Sequence, residues 1–108
     1  MALPHAPSGA LIQLLQEDED LSTFSARALA KTDELELIRL VLPKGKTMPE
    51  HHVPGEITLQ CLRGQVVVEA HDTSLSLGPG QMMYLNGGQA HALRAEADSL
   101  LLLTILLV

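Results

Sequence analysis

Histidine is the residue type in this chain best suited to chemistry near neutral pH, because imidazole titrates there and ligates metals. Five are present, at positions 5, 51, 52, 71 and 91. His51 and His52 are adjacent and precede Glu56, while His91 stands forty residues after His51 behind a glycine-rich stretch. Two imidazoles brought together could share a divalent ion, or act as an acid/base pair around a small ligand. Two polar residues bonded to water and backbone would be their plainer role. Glu56 follows Pro54-Gly55 and offers a base or a further metal ligand, unless it simply solubilises that turn. His5 and His71 have no partner near them in sequence and read as surface residues.

Cys61 is the single cysteine, so no internal disulfide framework exists and a reducing cytoplasmic setting is expected. Flanked by Gln60 and Leu62, it reads as a small buried hydrophobe and not as a nucleophile. Met82, Met83 and Tyr84 lie on the approach to His91. Met83 and Tyr84 are candidates for an adaptable pocket lining, although filling a core is the commoner use of methionine.

These residues must be positioned by strands. Residues 34–42 are apolar and stop at Pro43-Lys44-Gly45. Residues 57–62 run to Arg63-Gly64, and 66–70 follow at once, which predicts a tight hairpin. Further strands are expected over 74–77, 81–85, 90–95 and 100–107, each bounded by glycine-containing or polar turns. Along 57–61 the odd positions, Ile57, Leu59 and Cys61, share one parity and form an apolar face. Many short strands with little helical periodicity argue for an all-β barrel or sandwich, with an aliphatic core because Phe24 and Tyr84 are its only aromatics. Residues 1–24 form a short N-terminal extension and 25–108 the barrel. Within the extension, 11–16 fits either a short helix or an edge strand.

Two glycine-punctuated blocks carry a resemblance. Gly45, His51, His52, Glu56 and Gly64 form the first, and Gly80, Asn86, Gly88 and His91 the second. The pair resembles the two signature motifs of the cupin superfamily, which implies a double-stranded β-helix, or jelly-roll barrel, of the RmlC-like type. Family members with a metal usually hold it with two histidines and a glutamate from block one and a histidine from block two. Carried over residue by residue, those positions fall on His51, Val53, Ile57 and His91. Asn86 stands in place of a proline and Ala95 in place of an asparagine of the second block. Two of four ligands therefore remain, and His52, Glu56 or Gln60 would complete a site only if the backbone left regular pairing. The resemblance implies a pocket at His51 and His91 for a small molecule, with a divalent ion (zinc, iron, manganese or nickel) held weakly at most. A metal-dependent enzyme of dioxygenase or isomerase type, with His51, His52, Glu56 and His91 rearranged around the ion, is its alternative.

Composition narrows the partners. Seven basic residues against thirteen acidic ones leave a net charge of −6 and no basic patch for a phosphate backbone, so nucleic acid is not expected. The acidic run at 17–20 reads as a solvated loop. The apolar stretch at 100–108 is half the length a membrane-crossing helix needs, and it reads as a strand covered on both faces. Its outer face must be covered by the N-terminal extension or by a second copy of the chain, and a homodimer is expected.

Overall fold

The computed structural model describes residues 5–108, in which nine strands and no helix occur. In chain order they are β1 (Ser25–Lys31), β2 (Leu35–Leu42), β3 (Thr47–His51), β4 (Ile57–Arg63) and β5 (Val66–Ala70). There follow β6 (Thr73–Leu77), β7 (Met82–Leu85), β8 (His91–Ala95) and β9 (Ser99–Leu106). They form two antiparallel sheets, a five-stranded one ordered β1-β2-β9-β4-β7 and a four-stranded one ordered β3-β8-β5-β6. Strands adjacent in sequence are often in opposite sheets, as a jelly roll requires.

The inner faces meet in one aliphatic cluster. The five-stranded sheet contributes Leu40, Leu42, Ile57, Leu59, Cys61, Leu85 and Leu101, and the other Val66, Val68, Leu77, Leu93 and Ala95. Ile57, Leu59 and Cys61 are at most 4 % exposed, so the odd-numbered face of β4 does point inward. Burying each large aliphatic chain contributes about 1.5–3 kcal/mol, and side chains fill the middle of the barrel.

The predicted hairpin between β4 and β5 is not formed. The two strands lie in different sheets, β4 between β9 and β7, β5 between β8 and β6. The chain turns a corner at Gly64, whose φ is +87°. A Cβ there would lie 2.5 Å from the Asp98 carbonyl oxygen and 2.7 Å from Ser99 Cα, so the corner packs directly on the β8–β9 connection. Ser99, fully buried, ties the corner down by accepting from the Gln65 amide at 3.0 Å. The next two strands, β5 and β6, do form a hairpin, through His71 and Asp72, both at positive φ (51° and 59°).

Residues 11–16 are neither helix nor strand. They belong to an irregular strap crossing the outer face of the five-stranded sheet. Arg39, on that face of β2, grips the strap. Its Nε donates to the Leu14 carbonyl at 3.1 Å and its Nη1 to Glu19 Oε2 at 2.9 Å, with a second bond from Nη2 to Glu19 Oε1. The guanidinium holds the Glu19 carboxyl below its ordinary pKa. Leu21 then covers Val41 and Leu100, which explains how β9 tolerates an apolar outer face at this end.

Candidate functional site

β3 was not expected from the sequence, because Thr47-Met48-Pro49-Glu50-His51 shows no apolar alternation and contains a proline. It forms the edge of the four-stranded sheet, beside β8. Met48 pairs with Leu93 and His51 with His91, so β3 spends three residues where β8 spends two. This is a β-bulge at Pro49 and Glu50, and proline is tolerated there because a bulged edge strand can spare the amide. The extra residue changes the phase of the strand. Met48 and His51 both face inward, although their separation in a regular strand would send them to opposite sides.

The two imidazoles meet at one end of the barrel. Their ring centroids are 4.4 Å apart and the planes tilted by 55°. His91 is 3 % exposed, whereas His51 is exposed at the rim. His51 Nδ1 lies 3.1 Å from the Pro49 carbonyl oxygen and His91 Nδ1 3.0 Å from that of Gln89. A carbonyl only accepts, so each neutral ring carries its proton on Nδ1 and leaves the Nε2 lone pair free. No buried side-chain polar atom lacks a partner among the described residues, and His91 Nε2 has no protein partner. It therefore reaches solvent through the mouth. Burial lowers the pKa of His91, against the pull of the Gln89 carbonyl, and charge on His51 or His52 would lower it further.

Short connections hold the two histidine segments together. Five residues lead from His51 to β4 and five from β7 to His91. The Gly88 amide donates to the Val53 carbonyl at 2.8 Å, and a side chain at Gly87 would overlap the Pro54 carbonyl oxygen. This fixes the end of the barrel at which the pair sits: the nearest inward-facing row is Leu85, Ile57 and Ile105, with Met83, Leu59 and Leu103 one layer deeper.

The remaining candidates are distributed differently. Val53 and Ile57, at the positions where the family pattern has a histidine and a glutamate, both pack into the aliphatic cluster. Met83 faces inward and is part of that packing. Tyr84 has the opposite parity, is 59 % exposed on the outer face, and donates its hydroxyl to Glu56 Oε2 at 2.5 Å. That bond raises the Tyr84 pKa and turns the Glu56 carboxylate away from the histidines. Gln60 pairs with Met82 and Leu102 on the outer face, and so does not join them either. His52 is exposed just past β3. Among the described residues no three His, Cys, Asp or Glu side chains come together as a metal-holding group. Two neutral imidazoles without a carboxylate do not make the donor set that holds a divalent ion tightly. Cys61 is buried in the cluster, and burial pushes its thiol pKa up. Sequence parity could have separated Met83 from Tyr84, since Leu85 marks the inward face of β7. Met48 had no such signal, because its inward direction depends on the bulge.

No protein-family model and no curated protein sequence matches the chain significantly. Solved structures do resemble it. A conserved protein of unknown function from Streptococcus pyogenes superposes with a TM-score of 0.81 at 21 % identity, covering 98 % of this chain and 94 % of that one. A cupin superfamily protein from Desulfitobacterium hafniense gives 0.77 at 18 % identity, over 92 % and 100 % of the two chains. An RmlC-like cupin family protein with a double-stranded β-helix fold, from Methanocaldococcus jannaschii, gives 0.75 at 16 % identity, over 94 % and 93 %. With two facing antiparallel sheets, a corner at Gly64 and these structural neighbours, the chain has the double-stranded β-helix fold of the RmlC-like cupins.

Proposed function

We propose that this barrel binds a small organic molecule at its mouth, between His51 and His91, and holds a divalent metal at most weakly. The observation that carries this reading is the pair of rings 4.4 Å apart, each tied through Nδ1 to a carbonyl. Such tethering presents two Nε2 acceptors at fixed positions beside an aliphatic row. Because aliphatic side chains pack the core, this reading puts the ligand at the mouth and not at the barrel centre. A ligand suited to it offers hydrogen-bond donors to the imidazoles and an apolar body to the partly exposed Val53 and Met83.

The test is a fragment library screened by NMR against the intact chain. Binders should shift the ring signals of His51 and His91 and lose affinity by about tenfold in His51→Ala, as expected for one hydrogen bond lost. Hits that map elsewhere on the surface, or that ignore the substitution, would remove the reading.

We further infer that the chain pairs with a second copy through the outer face of the five-stranded sheet. The strap covers one end of that face. At the other, Leu35, Leu37, Thr58, Leu102 and Thr104 are partly exposed and Leu106 more so, with no charged group among them. A cytoplasmic setting suits the single buried, unpaired Cys61.

A further inference from the structure

The edge strands of the two sheets are not protected alike. We propose that the seam between β6 and β7 takes an extended peptide of a partner protein, which pairs with the barrel as an added strand. The peptide carries apolar side chains at alternate positions and a lysine or arginine at the end beside Asp72 and Glu56.

The five-stranded sheet ends in β1 and β7, the four-stranded one in β3 and β6. An edge strand offers the N–H and C=O of every second residue to any chain able to pair with it, and proteins blunt such edges with charge, proline, bulges or cover. β1 has Arg27, Lys31 and a bulge between Ala28 and Ala30, and the strap lies on it, the Ala6 amide donating to the Leu29 carbonyl at 2.8 Å. β3 has Pro49, Glu50 and its own bulge. β6, Thr-Ser-Leu-Ser-Leu, and β7, Met-Met-Tyr-Leu, have none of these devices.

The two unguarded edges line one groove of about 590 Å³, with Leu75, Ser76 and Leu77 from β6 and Met82, Met83 and Tyr84 from β7. Leu75 pairs with Val68, which is 1 % exposed, and shares the inward parity of buried Leu77, yet it is itself 56 % exposed. The inner face of the four-stranded sheet is therefore uncovered along this seam. A strand laid against β6 would direct alternate side chains onto Leu75 and the half-buried Met83, while its backbone satisfied the free edge.

Charge sets the end preference. No charged residue lines the groove. At the end away from the Gly78–Gln81 turn, Asp72 precedes β6, and Glu56 accepts from the Tyr84 hydroxyl on β7. A basic residue of the incoming strand complements these two carboxylates. The proposal rests on neither the histidine pair nor the face assigned to a second copy.

The probe is a short peptide of alternating threonine and valine with lysine at its amino or carboxyl end, titrated into the intact chain and followed by amide NMR and hydrogen exchange. The expected result is one peptide per chain, shifts confined to β6 and β7, and slower exchange of alternate amides in at least one of them. Affinity should fall about tenfold or more when alternate amide nitrogens of the peptide are methylated, and likewise in Leu75→Lys, which charges the free edge. Glutamate in place of the peptide's lysine should weaken binding several-fold. Leu75 is more than half exposed, and the methylated probe leaves the protein unaltered, so a folding defect does not imitate lost pairing. No saturable shift up to about 1 mM, indifference to methylation, or the same shifts from a simple aliphatic alcohol would overturn the proposal. So would a smaller assembly mass for Leu75→Lys in light scattering, which would make a second copy the occupant.

Discussion

His51 opposes His91 across the edge of the four-stranded sheet because β3 carries one residue more than β8 between Met48 and His51. In a regular ladder Glu50, not His51, would stand opposite His91. The acidic side chain is exposed and the imidazole faces its partner. The pairing is thus a property of backbone phase as much as of residue type.

Burial lowers the pKa of His91 below its ordinary 6.5. The unfolded chain then binds more protons than the folded one as pH falls through that value, so stability rises with pH across this window and is lost below it. Urea unfolding at pH 8 and pH 5.5 should show the loss, and His91→Gln should reduce it. Equal sensitivity to pH in the variant would contradict the assignment of this step to His91.

The Arg39–Glu19 fork holds the strap on the outer sheet. Arg39→Ala removes three donors and leaves a half-buried carboxylate, which should cost about 2 kcal/mol. The amide of Ala6, bonded to Leu29, should lose hydrogen-exchange protection while those in β4 keep theirs. Undiminished protection at Ala6 would mean that Leu21 alone suffices to hold the segment.

Gly64→Ala meets both a left-handed φ and the Asp98–Ser99 backbone, whereas Gly45→Ala meets the φ with open space around it. Chemical denaturation should give about 1 kcal/mol for Gly45→Ala and about 3 kcal/mol or more for Gly64→Ala. Comparable costs would show that the corner relaxes.

Most strands, though not β3, and the inward parity of Ile57, Leu59 and Cys61 were legible because alternation and glycine breaks are local signals. The partnership of β4 was not. Arg63-Gly64 reads alike as a hairpin or as a corner, and the difference lies in Ser99, thirty-five residues beyond Gly64 in the chain. At the site, the two glycine blocks gave His51 and His91, while the route by which His51 turns inward lay in a proline-containing bulge with no periodic pattern. Tyr84 lies beside Met83 in sequence, but the alternation Met83, Leu85 turns it outward, and its hydroxyl meets Glu56 outside.

Light scattering at micromolar concentration should report a dimer, and Leu102→Glu, on the outer face beside Gln60, should yield a monomer with its fold intact. A monomeric parent protein would contradict the assigned face.

Long-range proton–nitrogen NMR of the imidazoles at pH 8 tests the central claim most directly, because it reads the free nitrogen of each ring without any ligand. Both His51 and His91 should carry the proton on Nδ1, with an unprotonated Nε2 and a nuclear Overhauser contact between the two rings. A proton on Nε2 of either ring, or no contact between them, would contradict a paired acceptor site at the barrel mouth.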